Sequence, residues 1–409
     1  MDLSRSSLIR LDSTRAGSNW NFSAAEAASR SLIWPRADQP IQLYEQGRPA
    51  QQWSHPLDAL RWLETDARSA MRAEDRWIGY LSYDLGRSFE SLPTRAADDL
   101  GLPLMAFVHC APSNEEISES GVLPEKLIET ARGDMRSTFS RPAYLQAVGR
   151  AIEYIAVGDV FQVNLSQRFS LPQPASARQI YQRLLNQSPA AYGALLDFGS
   201  FALVSNSPEL FLSIEPEPET GNRRLITRPI KGTRPRQSGM DVELLRSAKD
   251  QAELNMIVDL ERNDLGRVCR VGSVKVTQPR TIEAHPTVFH GVATIEGILR
   301  DDCGFSETVA ALFPGGSITG APKIRAMEII EELEPVRRGP YCGAIGYLAA
   351  DGSAQFNIAI RTMIVKDGQI HIPVGGGIVA DSDPDAEYEE TLVKARAMFA
   401  ALGIGDVEK

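Results

Sequence analysis

The chain has 409 residues, 43% of them hydrophobic and 23% charged, and a formal net charge of −10. That is ample for a large core in one big domain or two, and the acidic balance speaks against nucleic acid as a partner. An acidic protein that holds an anionic small molecule must do so with local Arg, Lys and backbone N–H groups. Cys110, Cys269, Cys303 and Cys342 are far apart and form no CxxC pair, so they read as reduced, buried thiols of a cytoplasmic protein. Met1-Asp2-Leu3-Ser4-Arg5 lacks an apolar signal region. No apolar run approaches the roughly 18 residues of a membrane span.

Residues 1–110 mix short strands with one helix over Leu57–Ala70 and a strand at Trp77–Tyr83. Residues 111–138 are rich in Pro, Ser, Glu and Gly and read as a linker or surface excursion; 139–405 read as the catalytic region. Arg141-Pro142 opens a helix to about Val157, Phe161–Ser166 alternates as a strand, and a helix follows from Ala175 to Asn186. Strands near Phe201–Ser205, Leu210–Ile214 and Arg224–Thr227 precede a basic, Pro-punctuated loop, Thr227–Arg236. Asp241–Asp264 is a long amphipathic helix with Gly266 as its terminal glycine. Strands near Ser273–Thr277 and Thr287–Thr294 are followed by a Gly-rich turn, Phe313–Lys323, and a helix to Leu333. Phe356–Val365 alternates, Asp367-Gly368 turns it into a hairpin with Gln369–Ile372, and a last helix runs from about Pro384 to Leu402. Strands outnumber helices and no internal repeat is visible. The expected class is α+β, with large antiparallel β-sheets packed as a sandwich and helices outside.

Within the basic loop, Lys231 stands among Arg228, Arg234 and Arg236. Fixed positive charge makes a lysine lose its proton more easily, and a neutral lysine is a nucleophile. Pro229 and Pro235 stiffen the stretch and Gly232 lets the backbone approach something closely, which suits a positioned side chain better than a mobile surface loop. The last helix places Glu387, Glu390 and Lys394 on one face, and Glu253 follows Lys249 by four residues. Both patterns fit solvated helix faces, and both fit a hard-cation site in which Mg²⁺ takes one or two carboxylates and completes its shell with water and substrate. Gly375-Gly376-Gly377 offers backbone N–H groups to an anion, or a tight turn. Arg361, beside the small Ala359, could hold a carboxylate with both arms of its guanidinium. His285 and His290 lack a zinc-ligand spacing.

Four motifs occur in order: Pro229–Arg236 with the core Pro-Ile-Lys-Gly-Thr, Met256–Leu260 with Arg262-Asn263-Asp264, Pro314–Lys323, and Gly375–Ser382. Together they resemble the chorismate-utilising family of anthranilate, aminodeoxychorismate, isochorismate and salicylate synthases. The resemblance is strong over about Phe139–Gly403 and looser before it. It implies Glu253 and Glu390 as Mg²⁺ ligands, with Glu387 acting through water. Tyr347, Arg361, Lys394 and the Gly375–Gly377 amides would clamp the substrate's carboxylates. His290 would line its ring, Thr319 and Gln162 would also touch it, and Glu209 would protonate the departing C4 hydroxyl.

The same resemblance bears on the branch. Relatives that add water at C2 carry a lysine base where this chain has Gln162, so an aminating branch is expected. Relatives that make anthranilate usually have alanine where this chain has Lys231. A lysine there marks the folate branch, which puts nitrogen at C4: alanine leaves room for ammonia at C2, whereas a lysine fills that space and can itself attack C2. Anthranilate formation is the alternative, and an inactive regulatory relative a weaker one. None of the four cysteines sits in the Gly-x-Cys-x-Gly turn of a glutamine amidotransferase, so ammonia is expected from a separate amidotransferase subunit. In the N-terminal third only Leu11-Asp12-Ser13 is similar to the Leu-Leu-Glu-Ser motif with which related anthranilate synthases bind tryptophan.

Overall fold

The strands of the chain pair antiparallel in two sheets. The computed structural model describes residues 3, 8–15, 18–24, 29–113 and 125–405. Among these, one sheet runs in the order Gly320–Ala321, Gln162–Pro172, Gln369–Ile378, Thr362–Lys366, Phe201–Ser207, Tyr192–Asp197, Leu8–Asp12, Phe22–Ala24. The second runs from Ile230–Pro235 through Val288–Ile298, Asn222–Arg228, Leu210–Glu217, Ala354–Ile358, Ala344–Ala349, Arg76–Leu81 and Met105–Cys110 to strands of the first 53 residues. The facing sides of the sheets share one core, with Leu11, Ile78, Tyr80, Tyr192, Leu196, Ile345 and Ile364 all buried. The outer face of the second sheet is covered by the Pro56–Ala70, Ala248–Gly266 and Phe305–Leu312 helices, and that of the first by Ala177–Gln187 and Pro384–Ala401. The expected antiparallel sandwich with external helices is the architecture observed. No described helix is long and apolar enough to cross a membrane.

Several local expectations change. The N-terminal strands are distributed between both sheets, so residues 8–110 are woven into the same cores as the rest. The 111–138 excursion contains a helix, Glu125–Gly133, whose Ala131 is buried in the core beneath the first sheet, and a short strand at Arg136–Ser137. The helix expected over 241–264 is two helices, Met240–Arg246 and Ala248–Gly266. Ser247 breaks it: its hydroxyl accepts from the Asp250 amide at 3.3 Å, and the Arg280 side chain takes the carbonyls of Leu244 and Ser247. Gly266 lies within the last turn, and Arg267 caps it.

The basic loop is a strand. Asn222–Arg228 and Ile230–Pro235 lie end to end along the 288–298 strand, with Pro229 between them. Ile230 pairs with Val292 and Thr233 with His290, so Lys231 and Gly232 stand opposite the single residue Gly291. That is a β-bulge, the device that re-aims one side chain out of a ladder. Gly232 adopts φ +82°, and a Cβ there would stand 2.6 Å from Leu244 and 2.8 Å from Asp250. Gly291 is needed for the same reason from the other strand: a Cβ on it would meet the Lys231 carbonyl at 2.6 Å.

The alternating run 356–365 belongs to both sheets. The chain leaves the second sheet at Ile358 and enters the first at Thr362, turning at Arg361 with φ +49°. Arg361 therefore stands at the turn between the two sheets and not within a continuous strand.

Replacing Gly232 with alanine puts a side chain into left-handed backbone and into packed atoms. We expect Gly232→Ala to cost about 1–3 kcal/mol, read as a lower urea midpoint at unchanged slope. An unchanged midpoint would show that the bulge is not under this constraint.

Candidate active site

The bulge delivers Lys231 to the place where the two sheets, the 248–266 helix and the 384–401 helix meet. Its surface is partly accessible, but the chain surrounds it closely. Burial is the largest influence on its ammonium and lowers its pKa. Lys394 pushes the same way, while Glu253, Glu209 and Glu390 oppose. The arginines that flank Lys231 in sequence are not the cause. Arg228 pairs with Glu283, and Arg234 lies 2.9 Å from Glu243 and 3.1 Å from Asp250.

Glu209 is 5% exposed and sits just before the Leu210–Glu217 strand. Leu210 pairs with Arg228, which brings Glu209 alongside Pro229 and Ile230. Burial raises its pKa, against the Ser317 hydroxyl, Lys231, the Ile230 amide and Arg361. Its carboxyl and the Ser317 hydroxyl lie within reach of each other, and Gln162 Oε1, by the glycine strand, is a buried polar atom without a protein partner. A buried polar atom left without a protein partner is what a polar ligand would satisfy.

Arg361 faces Glu209 and the two histidines His285 and His290. His290 is 1% exposed, its Nδ1 lies 2.9 Å from Thr233 Oγ1, and its ring meets His285 edge-on at 5.0 Å. Burial, Arg361 and His285 hold it well below the usual imidazole range, so it is neutral.

Gly375–Gly377 is part of the Gln369–Ile378 strand and not a turn after it. Its partners are Ser166, Leu165 and Asn164, and its hairpin partner ends at the Ile364–His371 pair, so over the glycines only one edge of the strand is used. A Cβ on Gly377 would meet Gln162 Nε2 at 2.7 Å. A Cβ on Gly376 would stand 3.3 Å from Glu387 Oε2, 3.4 Å from Lys394 Nζ and 3.5 Å from Glu390 Oε1. The glycine strand is thus the floor beneath the charged face of the last helix. Lys394 Nζ donates to the Gly375 carbonyl at 2.8 Å and pairs with Glu390 at 2.7 Å.

Asp383 caps the 384–401 helix by accepting from the Ala386 amide at 2.9 Å, which sets Glu387 in its first turn, where a carboxylate is favoured. Ser382 Oγ donates to Glu387 Oε1 at 2.6 Å. Burial raises the pKa of Glu387 and of Glu253, and Glu390 pushes both the same way. At Glu390 burial also works against ionisation, but Lys394, Lys231 and Lys249 outweigh it and the pKa is lowered. Lys249, which spacing paired with Glu253 alone, acts on all three glutamates.

Two assigned residues stand elsewhere or are engaged. Tyr347 is buried in the core between the sheets, with Arg76 over its ring at 5.5 Å and Trp20 at 6.2 Å. It does not reach the Arg361–Lys394 group, because strand alternation turns it towards the sheet interface. Thr319 is fully buried, and its hydroxyl donates to the Gly315 and Gly316 carbonyls, so it shapes the Gly-rich turn. Asn164 holds that turn through the Ser317 carbonyl at 3.0 Å. Sequence reasoning passed over Ser317 and Glu261; their positions inside or beside the quoted motifs were the available signal. Leu11–Ser13 lies five strands across the sheet from the 162–172 strand, and the buried Trp20 beside it donates its Nε1–H to the Gly193 carbonyl at 2.7 Å. A separate cavity lined by Ser166, Arg168, Glu334, Arg338 and Tyr341, among others, contains neither Lys231 nor Glu209.

The sequence profile of the chorismate binding enzyme family matches residues 123–400, which include every group just described except the N-terminal ones. The chain belongs to the chorismate binding enzyme family. Anthranilate synthase component 1 of Thermus thermophilus is 43% identical over 364 residues, covering 80% of this chain and 78% of the relative. Aminodeoxychorismate synthase component 1 of Escherichia coli is 41% identical over 351 residues, covering 80% and 76%. The crystal structure of anthranilate synthase component I from Streptococcus pneumoniae superposes with a TM-score of 0.75 at 28% identity, covering 95% of this chain and 92% of that one. The chain is a chorismate-utilising enzyme, and its relatives divide between two amination chemistries at similar identity.

Gly376→Ala tests the floor of the site. The added methyl meets only the ends of charged side chains, so the melting temperature should hold while chorismate turnover falls about 10- to 100-fold. A variant of normal activity would place the substrate away from the glycine strand.

Proposed function

We propose that the chain is aminodeoxychorismate synthase component I, converting chorismate and ammonia to 4-amino-4-deoxychorismate, a precursor of p-aminobenzoate and folate. One observation carries the reading: the bulge presents a primary amine of lowered pKa beside a buried carboxyl of raised pKa. Such a pair favours a free amine and a protonated acid, the forms needed for attack and for protonating a leaving group.

The Lys231 amine attacks C2 of chorismate, the double bond shifts, and the C4 hydroxyl leaves as water with the proton of Glu209. Ammonia then adds at C4 and gives a proton to the Glu209 carboxylate, the double bond returns, and Lys231 leaves as a neutral amine. Two displacements at a common allylic system replace one direct exchange. Arg361 and Lys394 are the cations available to the substrate's carboxylates, and neutral His290 would face its ring.

Mg²⁺ is the proposed cofactor. Glu253 and Glu390 would hold it directly and Glu387 through water, and it would neutralise and fix a substrate carboxylate. Among the described residues no three acidic, thiol or imidazole side chains stand together closely enough to hold a metal alone. That suits an ion whose shell is completed by substrate and water. The mutual charge repulsion recorded at Glu253, Glu387 and Glu390 supports the same donor set. Ammonia would come from a separate glutamine amidotransferase subunit, since all four cysteines are buried and none lies in an amidotransferase turn.

The second reading is anthranilate synthase component I, supported by the 43% identity to the Thermus thermophilus relative. Product analysis separates the two. The purified chain with chorismate, ammonium salt and Mg²⁺ should yield the 4-amino product without pyruvate; a fluorescent aromatic product with pyruvate released would favour the second reading. Glutamine should not replace ammonium.

Lys231→Ala should open space at C2 and shift the product towards C2 addition. Lys231→Arg should be nearly inactive, because a guanidinium stays charged. Mass spectrometry of quenched wild type should trap an adduct at Lys231. No adduct, together with a normal 4-amino product from Lys231→Ala, would sink the covalent route.

Glu253→Gln and Glu390→Gln should each lower Mg²⁺-dependent turnover by at least about 100-fold, by analogy with loss of a preorganised charge partner. Near-normal rates in both would remove the metal assignment.

A further inference from the structure

Glu261 is a buried carboxyl to which the chemistry above gives no task. It is 8% exposed, and its Oε2 accepts a 2.8 Å hydrogen bond from Thr227 Oγ1. Thr227 is also buried and stands four residues before Lys231 on the same extended run. The adjacent strand brings Glu209 alongside that run through the Leu210–Arg228 pair. The turn that carries Ser317 closes against the same part of the helix: a Cβ on Gly316 would stand 2.5 Å from the side chain of Leu260, the residue before Glu261. The charged groups that act on Glu261 are Glu209, Asp264 on its own helix, and Lys323 from the Lys323–Leu333 helix. Lys323 is already paired with Asp264 at 2.6 Å and also donates to the Leu312 carbonyl at 2.8 Å. Glu261 and Glu209 are therefore two carboxyls in one dry region whose nearby cation is otherwise engaged.

We propose that Glu261 is a positioning residue that controls the proton on Glu209: it must remain uncharged for Glu209 to release its proton and for the Lys231 amine to stay free. The inference rests on the reading of Glu209 as the proton donor. A second negative charge behind Glu209 would make Glu209 hold its proton more tightly, and would draw a proton back onto Lys231. Burial raises Glu261 to about 8, with Glu209 and Asp264 adding to it against Thr227 and Lys323. At neutral pH the group is uncharged, and it ionises in the mildly alkaline range.

The test compares Glu261→Gln and Thr227→Val with wild type by turnover against pH and by thermal melting against pH. Glutamine keeps the shape but cannot ionise, so the alkaline fall in turnover should move up by at least about one pH unit. Thr227→Val removes a hydrogen bond that favours the carboxylate, so it should move the fall in the same direction. Melting gives a reading independent of activity. Folded Glu261 keeps a proton that the unfolded chain releases above its ordinary value of 4.5. Its contribution to stability is therefore complete below that value and is lost as pH rises to about 8. The melting temperature of Glu261→Gln should accordingly gain on wild type between pH 5 and 8 and run parallel above it, with a gap of roughly several degrees. Parallel melting curves across the whole range, or an alkaline fall at the same pH in wild type and both variants, would overturn the proposal. Wild type inert towards chorismate and ammonium at every pH would instead refute the proposed function, and the melting comparison would still decide the state of Glu261.

Discussion

Removal of water from Lys231 and Glu209 is the constraint from which the rest of the site follows. A lysine and a glutamate in water would ionise and pair. Here burial is the largest influence on both, and it acts in opposite directions, lowering the lysine and raising the glutamate. Both are thereby driven towards neutrality. The mutual attraction of the charged forms opposes this at each residue, so the outcome depends on how dry the region is. The architecture serves that dryness. Two sheets and two helices converge on the pair, and the cost of holding it falls on the fold as a whole. The Lys231–Gly232 bulge is the local expression of the same demand, because a regular ladder would give Lys231 the alternation of its neighbours.

Much of this was legible in the sequence, and the limits have physical causes. Composition, turn residues and periodicity led to antiparallel sheets with external helices. The family resemblance singled out Lys231, Glu209, Arg361, the three glycines and the three glutamates, which the structure brings to one region. What could not be read was pairing. Thr227–Arg236 looked like a loop because prolines and arginines are poor strand residues. Yet its Ile230–Pro235 part lies on a sheet edge, where proline needs no ladder partner, and Pro229 falls between two paired segments. The role given to Arg228 and Arg234 assumed that closeness in sequence sets the local field; their carboxylate partners cancel it, and Lys394, distant in sequence, supplies the repulsion. Tyr347 was misplaced for a related reason. A motif fixes a strand, but which face looks at the ligand depends on register, and register here points Tyr347 at Trp20.

The residues that sequence reasoning passed over share one property: each matters through a neighbour. Ser317 lies beside Glu209, Ser382 holds Glu387, and Thr227 holds Glu261. Residues of this kind have no chemistry of their own that would single them out in a chain rich in serine and threonine. Their meaning appears only when the backbone has been folded and the hydrogen-bond partners can be counted.

The charges on the 248–266 and 384–401 helices, with that of Lys231, bear on why a cation and an anionic substrate would enter together. Lys231, Lys249 and Lys394 face Glu253, Glu387 and Glu390, and every one of these carboxylates is influenced by at least one of the lysines. With all six charged the group is balanced. Once Lys231 is neutral, as the proposed chemistry requires, one negative charge is left in excess. A substrate bearing two carboxylates would then enter a region already negative, at high cost in a medium of low polarity. A divalent cation bound by Glu253 and Glu390 would reverse that balance and leave Lys394 free to exchange Glu390 for a substrate carboxylate. On this view the metal and the neutral lysine are linked: the cation compensates for the charge that Lys231 gives up, and a site that uses its lysine as a nucleophile has more need of the metal than one that keeps the lysine protonated.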